Sequence, residues 1–273
     1  MQEKSTQSPA SGSISRSASE QDATQAFLES LPEIGLQETF RFACHPGVRC
    51  FNACCGDLTL TITPYDALRL RRALGEDSRT FITNRGTLVV APDTGFPLLQ
   101  LRMMTGPGKP CPFVTAKGCS VYEHRPAACR TYPLGRATRL TSSGNIEQQF
   151  FLVREAHCCG FEEERDWTPA TWLADQGLED YNRSNDRLTD IMGRQKLTGR
   201  PIANRHTNMA FLALYQPDNF HKFIEDMKIF ERLDLDEDRK RAILADKEET
   251  LRFAMDWLEL ALFGDCANLR RKA

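Results

Sequence analysis

Cys111-Pro112-Phe113, followed by Gly118-Cys119-Ser120-Val121-Tyr122-Glu123-His124-Arg125-Pro126-Ala127-Ala128-Cys129-Arg130-Thr131-Tyr132-Pro133, is the stretch that decides how this chain folds. Its three thiols stand among Pro107, Gly108, Pro110, Pro112, Gly118 and Pro126, residues that break a chain into turns and loops. Loops fixed by a few stiff anchors commonly house functional ligands. Pro126 sets φ just before Cys129 and Pro133 closes the loop, so Cys129 is aimed rigidly. Arg125 and Arg130 flank the same thiol. They can lower its pKa by charge or hydrogen-bond to its sulfur; equally, Arg125 can anchor the loop through carbonyls. Tyr122 and Tyr132 read as packing residues.

Outward from this stretch lie more thiols. Cys44-x5-Cys50-x3-Cys54-Cys55 precedes it, Cys158-Cys159 follows it, and Cys266 stands apart; nine of the ten cysteines fall between positions 44 and 159. The N-terminus shows no apolar core of the kind a signal peptide needs, so a cytoplasmic location is expected. Structural disulfides are rare in that reducing compartment, and clustered thiols there bind metal or do redox chemistry. A thiolate is a soft, anionic ligand. Four of them complete a zinc tetrahedron or hold an iron–sulfur cluster. The intervals match neither a zinc ribbon nor a ferredoxin run, so spacing leaves the metal open. Buried free thiols acting as small hydrophobes are the alternative, and that reading suits Cys266. Leaving out Cys266 and one of the Cys158–Cys159 pair, eight cysteines make two four-thiolate sets. Adjacent cysteines point apart, which suits two neighbouring metals or a cluster. His45, His124 and His157 can each replace a thiol, whereas His206 and His221 read as ordinary.

The sequence also resembles a known family. Phe42-x-Cys44, Cys50 and Cys54-Cys55-Gly56, followed by Leu60-Thr61-Ile62-Thr63-Pro64-Tyr65-Asp66-Ala67-Leu68-Arg69-Leu70, resembles the opening of the YkgJ-type cysteine-cluster proteins, also described as the CxxCxxCC zinc- or iron-chelating domain. The stretch from Cys111 to Pro133 is similar to that family's second signature, with Val121 in place of isoleucine. The family's first run is usually C-x2-C-x2-C-C and is stretched here, which leaves Cys50 the least supported. The resemblance covers about residues 40 to 160. It implies a metal held by Cys44, Cys50, Cys54, Cys55, Cys111, Cys119, Cys129 and Cys159, as an iron–sulfur cluster or iron, with zinc as the alternative. A redox role, as an iron–sulfur oxidoreductase, rests on the resemblance alone.

The rest of the chain frames this centre. Its 273 residues, 41% hydrophobic and 26% charged, suffice for a core without cross-links. A net charge of −2 gives no electrostatic case for nucleic acid or an anionic membrane, and no run approaches the length of a membrane span. Ser-His-Asp, HExxH, P-loop and dinucleotide signatures are missing. Residues 1–25, serine-rich and without apolar period, predict a disordered tail. A strand over Leu58–Ile62 leads to a helix capped by Thr63, with Pro64 at its first position, Asp66 as capping acid and Gly75 at its end. Hairpins are expected from 88–91 to 97–104 and from 136–141 to 146–154. Thr168-Pro169 starts a helical region, with a helix over 178–195 and another periodic stretch over 206–263 broken near Pro217 and Asp234. Asp236–Lys240, Glu237–Arg241 and Glu248–Arg252 have i,i+4 spacing, and Phe253, Trp257, Leu260 and Phe263 form an apolar stripe for packing. The fold class read from this is α+β: an irregular cysteine-rich metal-binding domain with β-hairpins and short helices (26–195), plus a helical C-terminal extension (196–273). The second functional reading is a zinc-stabilised, non-catalytic scaffold that binds a protein partner through those helices.

Overall fold

Thr63 does what its position predicts. In the computed structural model, which describes residues 31–272, its hydroxyl accepts from the Asp66 N–H while the Asp66 carboxylate accepts from the Thr63 N–H at 2.9 Å. This reciprocal cap, with Pro64 at the first position, starts a helix that ends on left-handed Gly75. The tail expected over residues 1–25 lies outside the described residues.

In chain order, β1 (Phe40–Arg41) and β2 (Thr61–Ile62) precede α1 (Pro64–Leu74) and α2 (Ser78–Arg85). Next come β3 (Gly86–Val90), β4 (Pro97–Leu101), β5 (Val114–Thr115), β6 (Gly118–Cys119), α3 (Ala127–Thr131), β7 (Leu134–Leu140), β8 (Ile146–Leu152) and β9 (Asp166–Trp167). Six helices complete the chain: α4 (Pro169–Asp175), α5 (Glu179–Leu197), α6 (Asn204–Tyr215), α7 (Pro217–Asp226), α8 (Glu237–Ala245) and α9 (Lys247–Phe263). The architecture is α+β, with small antiparallel sheets followed by a helical C-terminal region. No helix among the described residues is long and apolar enough to cross a membrane.

Both expected hairpins form. β3 pairs with β4 so that Leu88 faces Leu99, and β7 pairs with β8 so that Thr138 faces Gln148. The strand predicted over Leu58–Ile62 is shorter, with only Thr61 and Ile62 in register with Gln100 and Leu99. The reason lies just before it. Gly56 and Asp57 turn away to meet Pro110 and Lys109, so the chain cannot stay on the edge of β4. Helix α2 went unread because it is short and polar; Asp77 caps it by accepting from the Thr80 N–H at 2.7 Å. The helical break expected near Pro217 occurs with that proline at N1 of α7, and Asp236 caps α8. A further break falls at Asp246, whose carboxylate accepts from the N–H groups of Glu248 and Glu249.

The predicted i,i+4 pairs form only in part. Glu248 and Arg252 meet at 3.9 Å, but Lys240 pairs with Glu237 at 2.6 Å and Arg241 with Asp238. Asp236 is occupied as the α8 cap, so the partners shift one residue to i,i+3. The stripe on α9 packs as expected: Phe253, Trp257 and Leu260 are buried, with Phe263 partly so. Helix α9 touches α1, α5, α6, α7 and α8.

Two apolar cores result. The larger runs from Leu60 to Leu269 and includes fully buried Leu70, Leu99, Phe220 and Leu258. The smaller is aromatic, with Phe40, Phe42, Trp167 and Trp172 meeting edge to face. Cys111 and Cys119 pack against the first core and Cys158 against the second, so the thiols lie where the two cores come near each other.

Candidate metal centre

Four hydrogen-bonded arrangements bring the distant cysteine groups together. First, the segment from His45 to Cys55 winds through consecutive turns, Val48 N–H to His45, Phe51 to Val48, Ala53 to Cys50 and Cys55 to Asn52. Second, this winding segment is joined to the later group, because Cys111 donates its N–H to the Cys55 carbonyl at 2.8 Å and Gly56 bridges Pro110. Third, Asn52, in the left-handed region, donates its side-chain amide to the Thr115 carbonyl, holding the loop against the β5–β6 hairpin that carries Cys119. Fourth, the Ala43 N–H donates to the Gly160 carbonyl, which sets Cys44 beside the Cys158–Cys159 pair.

Both adjacent pairs are followed by glycine, and both glycines are forced by close approach. A Cβ on Gly56 would lie 2.6 Å from the Gly108 carbonyl oxygen, and one on Gly160 would lie 2.7 Å from that of Ala43. Gly160→Ala is therefore expected to cost about 1–3 kcal/mol in urea unfolding through overpacking and to reduce bound metal. Gly35→Ala, whose added Cβ meets nothing nearer than 3.4 Å, is the control. Equal stability of the two variants would contradict this role for Gly160.

The thiols form two adjoining sets that share the Cys54–Cys55 peptide. In one set, burial raises the Cys129 thiol to about 12, and Cys111, Asp66, Cys119 and Cys54 add to the rise. Cys129 is reached by solvent at its surface yet walled by protein on its other sides. Burial also raises Cys111, and Cys119 adds to it. In the other set, burial raises Cys44 to about 11, with Cys54, Cys50 and Cys158 adding. Between the sets, the adjacent Cys54 and Cys55 thiols act on each other, which raises Cys55 and lowers Cys54 to about 7. Cys55 lies near Cys111 and Cys129, and Cys54 lies near both Cys44 and Cys129. The Cys159 N–H donates to the Cys50 sulfur at 3.0 Å.

All eight cysteines of the sequence-derived ligand set thus meet in one region, and Cys158 joins them. The final pair divides its work: Cys158 faces Cys44 and Tyr132, and Cys159 faces Cys50. No three of these thiols hold their sulfurs within 4.8 Å of one another among the described residues; the group that does so is Asp256, Glu259 and Cys266. That group is already neutralised by Arg187, Arg194 and Arg239.

The donor set fits a thiophilic metal. Soft donors gather around one peptide, a backbone N–H already points at the Cys50 sulfur, and the buried Tyr132 hydroxyl, beside Cys158, has no hydrogen-bond partner. N–H and O–H donors around sulfur are the usual outer support of thiolate–metal sites.

The arginines anchor carbonyls, and the Arg125 charge also acts to lower the Cys44 thiol. Arg125 donates to the Tyr122 carbonyl at 2.6 Å and to the Gln176 side chain, while Arg130 donates to the carbonyls of Arg125, Gln176 and Glu123. Each of the three candidate histidines has a partner of its own, and His157 also acts on Cys54 by charge. His45 takes the Gly47 N–H on Nδ1 and meets Glu163 through Nε2; His157 meets Glu155; His124 takes a hydrogen bond from Arg69. Asp66 is the positioning residue whose full role sequence reading missed. One of its oxygens caps α1, and the other accepts from the Ala127 N–H at 2.8 Å, at the start of the short helix that carries Cys129. Burial raises its pKa against these hydrogen bonds. The capping signal was visible; the second bond spans 61 residues and left no local signature.

Residues 43–159 match the family model CxxCxxCC, described as "Putative zinc- or iron-chelating domain". No curated protein and no solved structure matches the chain.

Proposed function

We propose, from the premise that residues 43–159 are a CxxCxxCC domain, that this protein binds metal through two adjoining thiolate sets, and that the metal is iron or an iron–sulfur assembly with a redox role. Cys55, Cys111, Cys119 and Cys129 would hold one set, and Cys44, Cys50, Cys54 and the Cys158–Cys159 pair the other. The observation that carries this reading is the joining of the three cysteine groups by hydrogen bonds: Cys111 N–H to the Cys55 carbonyl, Ala43 N–H to the Gly160 carbonyl, and Cys159 N–H to the Cys50 sulfur. When bound, an iron–sulfur assembly supplies one-electron chemistry. The chain's own residues keep the thiols together: Asp66 and Arg130 fix the Cys129 helix, and the Cys159 N–H supports the Cys50 sulfur.

The test is metal and sulfide analysis with a visible spectrum, on protein purified without oxygen. Iron, acid-labile sulfide and a broad band that bleaches on reduction are the expected result. A colourless protein with stoichiometric zinc would instead support the zinc-stabilised scaffold. Protein free of both metals after purification with iron and zinc supplied would overturn the proposal.

A further inference from the structure

The helical region carries a second feature, outside residues 43–159. A groove of about 560 Å3 opens between α6, α7, the turn at Ile229–Arg232 and α9. Its walls are Met209, Phe223, Ile229, Trp257 and Leu260, and its volume lies within the range of roughly 300–1,000 Å3 seen for small-molecule sites. Two charges break the apolar lining, Arg232 and Arg271. The backbone brings them to one place. Leu233 bridges Arg271, Lys272 donates its N–H to the Arg232 carbonyl, and Asp234 donates to that of Arg270. The last residues of the described chain are thereby pinned along the end of the turn. The acid next to Arg232 in sequence, Glu231, faces Lys228 instead, at 3.9 Å.

An apolar trough with two guanidinium groups along it is complementary to a chain-like apolar body with an anionic head. Burial of the methylenes supplies the affinity, and a guanidinium fork suits a carboxylate. We infer that this groove binds a free acyl carboxylate, with the alkyl chain along Phe223, Trp257 and Leu260 and the head at Arg232 and Arg271.

The full-length protein supplies its own reporter. Of its three tryptophans, Trp167 and Trp172 lie in the aromatic core, and Trp257 lines the groove. Titration with dodecanoate is expected to give a saturable change in tryptophan emission, and dodecanol a weaker one. The double variant Arg232→Gln/Arg271→Gln, at exposed positions, is expected to weaken dodecanoate at least about tenfold while changing dodecanol by less than about twofold. Ala261→Phe, which fills the groove, should abolish both signals, and circular dichroism checks that each variant is folded. Three results would overturn the inference: no saturable change in the wild type, equal affinity for acid and alcohol, or undiminished dodecanoate binding by the folded double variant.

Discussion

Cys129→Ser is expected to lose metal and stability together. In thiolate sites of this kind the binding free energy is folding free energy, and Cys129 is tied to the fold at both ends of its short helix. Asp66 accepts from Ala127 at the start, and Trp172 donates its indole N–H to the Thr131 carbonyl at the end. Serine keeps the shape but is a poor soft donor. The loss should reach at least about 3 kcal/mol, which for a chain of this size lowers the melting temperature by roughly 6–12 °C. The metal content separates two arrangements. Two independent sites would leave about half the metal on the Cys44 side, whereas one polynuclear assembly spanning Cys54 and Cys55 would be lost whole. Cys266→Ser, whose thiol is raised to about 11 by burial and by the neighbouring Glu259 carboxylate, should leave the metal in place. Full metal content and an unchanged melting temperature in Cys129→Ser would exclude that residue from the site.

What could be read from the sequence follows the range of the interactions. Thr63-Pro64, Thr168-Pro169 and Gly75 act within one turn of a helix, and both caps form around them. The hairpins were legible because the strands flank turn chemistry at Gly95 and Gly144, both of which have positive φ. The thiols were legible as residues but not as sets. Their grouping depends on the pairing of Gly56 with Pro110 and of Ala43 with Gly160, contacts with no local pattern. The same holds for Asp66, whose capping bond was visible while its bond to Ala127 was not. Glu248 and Arg252 meet as expected, but the Asp236–Lys240 pair does not form: Asp236 had two available uses, and capping α8 displaced the i,i+4 contact.

Arg187→Met tests a charge cluster that joins residues far apart in the chain and left no local pattern. Asp256 and Glu259 are 6% and 5% exposed on α9, and Arg187 reaches both, at 3.0 Å from Asp256 and in direct contact with Glu259. Arg194 and Arg239 remain to face one carboxylate each. Removing the arginine that bridges them leaves buried charge under-compensated, and the expected loss is about 3 kcal/mol at pH 7, the lower end for breaking a buried pair. The sign of the pH dependence follows from Glu259. Burial alone would raise its pKa, but hydrogen bonds from Arg187 and Cys266 and the charges of Arg187 and Arg194 hold it below the usual carboxylate value. A folded-state pKa below the unfolded value of about 4.3 contributes stability above that pH and loses it as the pH falls through the folded value. In Arg187→Met the Glu259 pKa moves up, so the deficit relative to wild type is full at pH 7 and shrinks towards pH 4 as the carboxyl protonates. Urea unfolding of both proteins at the two pH values measures it, and metal release in acid cancels in the difference. A deficit of the same size at both would show that Arg187 acts by packing its stem rather than by its charge.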